Sequence, residues 1–258
     1  MNASSKATDF LVVIPARLGS SRLPRKPLAD LGGKPMVVRV AERAKQSNAQ
    51  SVIVATDSAE IQTVCDTHRI ECLLTSPDHP TGTDRIAEVA QVLKLAKDAL
   101  VVNVQGDEPL IPIELINQVA QTLADNSNCA ISTVATPIMD HTEIENPNVV
   151  KVVLNRAQEA LYFSRAAIPF LRDQHMQSYA AYLRHLGIYA YRADFLQAFT
   201  RLEPAPPEQA EALEQLRALW NGYRIAVHIA DKAPPAGVDT PEDLERIRQI
   251  LLKSELKD

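Results

Sequence analysis

Through its first half the chain alternates short apolar runs with stretches of helical period. FLVVIP (10–15), SVIVAT (51–56), ECLLT (71–75) and ALVVNV (99–104) are dominated by Val, Ile and Leu. Runs of this length and composition predict buried strands. Between them, MVVRVAERAKQ (36–46), AEIQTVCDTHR (59–69) and TDRIAEVAQVLK (83–94) repeat apolar residues at three- and four-residue steps, which predicts helices. Strands alternating with helices imply right-handed crossovers and a mostly parallel sheet. Strands that are apolar throughout suit a sheet covered by helices on both faces.

The second half is less regular. CAISTVAT (129–136), VVKVVLN (149–155), EALYFSR (159–165) and HLGIYAYR (185–192) read as strands, the middle two as a hairpin turning over 155–158. PPEQAEALEQLRALW (206–220) reads as one helix with Pro near its start, and RIAVHIA (224–230) as a last strand. DTPEDLERIRQILLK (239–253) reads as a helix with Thr240 as cap and Pro241 at the first position. No Gly/Ser-rich linker or repeat divides the chain. The expectation is one α/β domain over 10–258, with a β-rich lobe inserted at roughly 137–192 and a disordered extension over 1–9.

Composition narrows the function. Lys and Arg number 27 against 32 Asp and Glu, a net charge of −5, which disfavours a broad nucleic-acid surface. An anion site must then be local. The cysteines, Cys65, Cys72 and Cys129, form no C-x-x-C pair or even-numbered framework, which fits a reducing cytoplasm. The first residues, MNASSKATD, lack the apolar core of a signal peptide, and no run approaches the ~20 apolar residues that span a bilayer.

Ligands of open α/β sheets bind beyond the carboxyl ends of the strands. That rule selects the loop after the first strand, TDS (56–58), TSPDHPTGTDR (75–85) and QGDEP (105–109), and predicts that they converge. The first loop, ARLGSSRLPRKPL (16–28), carries Arg17, Arg22, Arg25 and Lys26. It matches neither G-x-x-x-x-G-K-[ST] nor G-x-G-x-x-G. It still holds the parts of a polyphosphate site: Gly19 for a turn, hydroxyls at Ser20 and Ser21, forked arginines, and Pro24 and Pro27 to stiffen it. The alternative is a solvated basic loop. Asp107 suits a Mg²⁺ ligand just past a buried strand, or a turn, since Gly-Asp-x-Pro is good turn chemistry. Asp239 is either a second ligand or a capping carboxylate at the last helix. Asp84 suits the cap of the helix after PTGTDR.

Several motifs together carry a resemblance. IPARLGSSRLPRKPL, NVQGDEP (103–109), FSRAAIP (163–169), RHLGIYAYR (184–192), LEQLRALW (213–220) and GVDTPEDLERIR (237–248) closely resemble the 3-deoxy-manno-octulosonate cytidylyltransferase (CMP-Kdo synthetase) family, in that family's order, from 10 to about 248. The resemblance implies an α/β nucleotidyltransferase (Rossmann-like) fold whose inserted lobe serves dimerisation and sugar binding. It implies a cytoplasmic homodimer that joins CTP to Kdo, releases pyrophosphate, requires Mg²⁺ and supplies CMP-Kdo for lipopolysaccharide. It places CTP on Arg17, Ser21, Arg22, Lys26, Thr81, Gly82 and Arg85. It places the sugar on Gln105, Arg165, His185, Tyr189, Glu214 and Gln215, and the metal on Asp107 and Asp239. Arg17, Lys26, Asp107 and Asp239 are the implied catalytic set, acting by positioning and charge neutralisation in a direct attack of the sugar 2-hydroxyl on the α-phosphorus. Tyr162, Tyr191 and Trp220 read as core or interface. One departure stands out: Arg25 occupies a position where the family commonly has Gly, so a left-handed backbone there would be strained.

Rival functions are a cytidylyltransferase for 8-amino-Kdo or sialic acid, and a non-catalytic nucleotide-sugar sensor. The sensor would not need two metal carboxylates. A glycosyltransferase is disfavoured because no D-x-D pair is present.

Overall fold

The computed structural model describes residues 8–19, 23–172 and 182–255. Ser20, Ser21, Arg22 and the stretch 1–7 lie outside these residues.

Among the described residues nine strands form the sheet: β1 (Phe10–Ala16), β2 (Ser51–Thr56), β3 (Glu71–Leu74), β4 (Leu100–Asn103), β5 (Ile131–Pro137), β6 (Lys151–Leu154), β7 (Ala160–Ser164), β8 (Leu183–Arg192) and β9 (Ile225–Ile229). Their order is β3-β2-β1-β4-β8-β5-β9, with the β6–β7 pair joined to the start of β8. β1 is parallel to β2 and β4, β2 to β3, and β5 to β9; β8 alone in this path runs antiparallel to its neighbours. The mostly parallel α/β sheet predicted from the apolar runs is present. β2 has the predicted limits, because its run ends at Thr56 where the polar TDS turn begins.

The pleat sends successive side chains to opposite faces. Along β1, Val12 and Ile14 enter one apolar core, while Val13 enters the other. The first core receives α1 (Met36–Ala44), α2 (Ala59–Thr67), α4 (Ile113–Asp125) and α9 (Pro241–Glu255). The second receives α3 (Gly82–Val92), α6 (Ala193–Phe199) and α8 (Gln215–Trp220). Burial from both sides explains why all four residues of β4 are apolar or neutral and fully covered.

Local chemistry sets the ends. Thr240 Oγ1 accepts from Asp243 N at 3.2 Å and the Asp243 carboxylate accepts from Thr240 N at 3.1 Å, a capping box that starts α9 as expected. Thr81 and Asp84 make the same box at α3. In the hairpin, Asn155 Oδ1 accepts from Ala157 N at 2.8 Å and Glu159 N at 3.0 Å, fixing the turn between β6 and β7. Of the stretch 137–192, that hairpin leaves the main path of the sheet, whereas β8 runs inside it between β4 and β5.

The single helix expected over 206–220 is corrected to two, α7 (Pro206–Glu211) and α8. Between them Ala212 takes φ 49°, a left-handed conformation that ends α7. The break is made by long-range partners. Arg165 Nε donates to the Glu211 carbonyl at 2.6 Å. Arg217 reaches back across the elbow to Glu208 with contacts of 2.9 and 2.5 Å. The apolar period runs through the elbow unchanged, so periodicity does not reveal it.

Candidate active site

A cleft of about 390 Å³ opens at the carboxyl ends of β1 and β4. Its walls include Arg17, Lys26, Thr81, Gly82, Arg85, Gln105, Asp107 and Asp239. Three of the four predicted loops therefore meet in it. The fourth supports it from behind, since Asp57 accepts from Arg85 Nη2 at 2.8 Å. Gly106 makes the convergence possible: a Cβ there would stand 3.0 Å from the Pro15 carbonyl oxygen. At Gly82 a Cβ would meet Pro15 at an ordinary 3.5 Å, so the tight backbone approach lies at Gly106 rather than in the PTGTDR loop.

The centre of the cleft is one ammonium between two carboxylates. Lys26 Nζ donates to Asp107 Oδ2 at 2.7 Å, Asp239 Oδ1 at 3.1 Å and the Val238 carbonyl at 3.1 Å. Burial pulls the Lys26 pKa down, but hydrogen bonds and charge from Asp107 and Asp239 outweigh it and leave the group above its ordinary value. Asp239 reaches the cleft because Asp243, not Asp239, completes the Thr240 box. The Asp107 carbonyl also accepts from Val238 N at 2.9 Å, which ties the loop after β4 to the start of α9. Among the described residues no group of three or more His, Cys, Asp and Glu side chains gathers as a metal cage. Two carboxylates converging on one cation position still fit Mg²⁺, which takes one or two carboxylates and fills its octahedron with phosphate oxygens and water.

The other cations differ in their roles. Arg17 is exposed on the cleft wall. Arg85 is 3% exposed, and its guanidinium engages Asp57 and the Thr75 hydroxyl, so it forms a fixed, charged floor. Arg25 has φ 58° and is left-handed, the conformation that the family's glycine would take without strain. Its guanidinium pairs with Glu60 on α2, away from the cleft. Ser21 and Arg22, predicted CTP contacts, fall outside the described residues.

Of the predicted sugar residues, Gln105 lines the cleft itself, and the other five divide into two groups. His185, Tyr189, Glu214 and Gln215 are contiguous: the His185 and Tyr189 rings lie 5.4 Å apart, and Tyr189 shares a small cavity with Glu214 and Gln215. His185 Nε2 meets Thr133 Oγ1 at 3.0 Å, and burial pushes its pKa down to about 3, so it stays neutral. Burial raises Tyr189 well above the usual phenol range, with Tyr191 and Glu214 adding to it. Arg165 is placed apart. Besides Glu211, its guanidinium donates to the Pro147 carbonyl at 2.9 Å, fastening β7 to the elbow. Of the aromatics read as core or interface, Tyr191 is buried, while Tyr162 and Trp220 are exposed.

The pattern reading missed two neighbours. His79 lines the cleft and is held by Glu88, which also accepts from Ser76 N at 2.8 Å. The signal was a His before the helix and a Glu two turns into it, a spacing that reaches back over an N-terminus. Glu108, the residue after Asp107, faces a second cleft of about 160 Å³ with Arg184 and His185. Burial first, then the Asp107 charge, raises its pKa to about 7. The unfolded chain ionises this group near 4.5, so folding stability falls as pH rises from there to about 7. In metal-free buffer, Glu108→Gln is expected to be more stable than wild type at pH 7.5 by about 2 kcal/mol. Urea titrations should show that advantage vanish below about pH 4.5.

A profile of the cytidylyltransferase family matches residues 11–225. The chain belongs to the cytidylyltransferase family. It is 79% identical over 254 residues to the 3-deoxy-manno-octulosonate cytidylyltransferase of Polynucleobacter necessarius subsp. necessarius (strain STIR1), covering 98% of this chain and 100% of that one. It is 56% identical over 249 residues to the protein of the same name from Neisseria meningitidis serogroup C, covering 94% and 98%. A solved structure of CMP:2-keto-3-deoxy-manno-octonic acid synthetase complexed with CTP superposes with a TM-score of 0.88 at 42% identity, over 95% of this chain and 99% of that one. A cytidylyltransferase structure from Leptospira borgpetersenii, at 14% identity and a TM-score of 0.62, shares the fold alone. No helix among the described residues of this cytidylyltransferase is long and apolar enough to cross a membrane.

Proposed function

We propose that the protein transfers CMP from CTP to the 2-hydroxyl of 3-deoxy-manno-octulosonate, releasing pyrophosphate and supplying CMP-Kdo for lipopolysaccharide. It does so as a cytoplasmic, Mg²⁺-dependent homodimer. The observation that carries the reading is the Lys26 ammonium held between Asp107 and Asp239 on the ligand edge of the sheet. The near end-to-end identity with relatives named for this reaction supports it.

The chain's own residues account for positioning and charge. Arg17 and Lys26 hold the triphosphate and offset the charge that develops on departing pyrophosphate. Thr81 and Gly82, at the start of α3, face the nucleotide over the fixed guanidinium of Arg85. Asp107 and Asp239 would hold Mg²⁺, which when bound supplies charge neutralisation and a lowered pKa for the attacking hydroxyl. Gln105 presents its amide on the acceptor side. His185, Tyr189, Glu214 and Gln215 give the acceptor hydrogen-bond donors and acceptors. No cysteine is required as a nucleophile: all three are free, Cys65 and Cys129 are buried, and none lines the cleft.

The test is pyrophosphate release with Mg²⁺, each of the four nucleoside triphosphates, and Kdo, 8-amino-Kdo or sialic acid as acceptor. Release with CTP and Kdo above every other pair is expected. Preference for another acid would reassign the acceptor. Binding of CTP without turnover of any acceptor would leave a sensor.

A further inference from the structure

Thr83, at the start of α3, is 3% exposed and lines no part of the nucleotide cleft. Its hydroxyl donates to Glu214 Oε2 at 2.6 Å, although 131 residues separate the two. Tyr191 borders the same small cavity as Thr83. A buried polar path therefore runs from Thr83 at the start of α3 to the elbow between α7 and α8.

The far end of the path is incomplete. Glu214 Oε1 and Gln215 Nε2 are both buried and have no hydrogen-bond partner among the described residues. One is an acceptor and the other a donor, and they border a cavity of about 20 Å³ with Tyr189. Such a pair complements a hydroxyl, which donates and accepts at once. A space of this size admits one oxygen. Buried polar atoms left unpaired are costly, so the arrangement favours arrival of that oxygen. Burial raises the Glu214 pKa, and hydrogen bonding from Thr83 and Thr81 opposes the rise.

We propose that Thr83 is a positioning residue for acceptor binding: by holding Oε2 of Glu214 it aims Oε1, together with Gln215 Nε2, at one hydroxyl of the sugar acid. The inference rests on the proposed transfer to Kdo. It goes further by assigning acceptor recognition to a residue of the nucleotide-side helix that touches neither substrate. Without Thr83 the Glu214 carboxylate loses the 2.6 Å bond that fixes Oε2 and is freer to rotate. The nucleotide side stays intact, because the Thr81–Asp84 box does not use the Thr83 hydroxyl.

Initial rates of pyrophosphate release by wild type, Thr83→Val, Thr83→Ala and Thr83→Ser test this, with Kdo and CTP varied in turn. CTP binding is measured separately by calorimetry without Kdo. A hydrogen bond to a charged group is worth about tenfold or more in affinity. Thr83→Val and Thr83→Ala are expected to raise KM for Kdo by about that factor, with CTP affinity unchanged and Thr83→Ser close to wild type. The alanine variant removes the hydroxyl without β-branching, so it answers the question if the valine protein folds poorly. A folded variant whose KM for Kdo stays at the wild-type value would overturn the inference, as would equal loss for both substrates or failure of serine to restore. Wild-type protein that is silent with CTP and Kdo would overturn the functional reading itself, and the role of Thr83 with it.

Discussion

Asp107→Asn is expected to lower turnover by about a thousandfold while the protein stays folded. The structural work at this position is done by the backbone, whose carbonyl accepts from Val238 N at 2.9 Å. Asparagine keeps the side-chain volume and can still accept from Lys26, now held at 2.7 Å. What disappears is one of the two negative charges that converge on the cation position. With Asp239 alone, a hard cation loses half of its protein oxygens, and affinity falls before chemistry begins. Pyrophosphate release across a Mg²⁺ titration, with thermal unfolding in parallel, separates the effects. Saturating Mg²⁺ should recover part of the loss. Near wild-type turnover at limiting Mg²⁺ would remove Asp107 from the metal assignment.

Lys151→Met is expected to have the largest effect on stability. Lys151 is 0% exposed, and its ammonium donates to the carbonyls of Val149 at 2.6 Å, Arg165 at 2.7 Å and Asn146 at 3.0 Å. Burial pulls its pKa below the ordinary lysine value, with the Arg165 charge acting in the same direction and Glu211 opposing. Methionine fills the space but donates nothing, so the Val149 and Arg165 carbonyls lose the ammonium in the interior, while the Asn146 carbonyl keeps Val149 N at 3.0 Å. At roughly 1–2 kcal/mol each, partly offset because no charge is buried any longer, the loss is about 3 kcal/mol. For a chain of this size that lowers Tm by about 10 °C. Scanning calorimetry reads the shift. Hydrogen exchange should place the first loss of protection in the β6–β7 hairpin. A Tm within about a degree of wild type would show that water replaces the ammonium without cost.

The elements that could be read from sequence are those governed by local physics. β1, β2 and β4 follow from apolar runs bounded by polar turns, and α3 and α9 from their Thr-x-x-Asp boxes. α4 carries an amphipathic pattern but no start signal, since Pro112 stands at its N-cap and no side chain caps it. The split between α7 and α8 was invisible for a different reason: Arg165 enforces it from the end of β7, and Arg217 closes it by reaching back from α8 to Glu208 in α7. The same distinction applies to the site. Lys26, Asp107 and Asp239 were legible as cations and carboxylates beyond strands and before a helix. Their meeting at one point depends on crossovers that no local pattern encodes. Arg165 was read as a sugar cation from its motif, whereas the structure commits its guanidinium to backbone carbonyls. Thr83 gave no signal at all, since an uncharged hydroxyl early in a helix is ordinary in composition.

The antiparallel β8 sits between β4 and β5, although it begins at Leu183 and those strands end at Asn103 and Pro137. During synthesis the edge of β4 stays open until β8 leaves the ribosome, so a chain stopped before 183 exposes a mostly apolar strand with unpaired amides. β9 then docks on β5, and only after it does Asp239 emerge to join Asp107 and Lys26. The cluster of Lys26, Asp107 and Asp239 is thus completed late in synthesis. A prematurely terminated product therefore lacks half of the carboxylate pair.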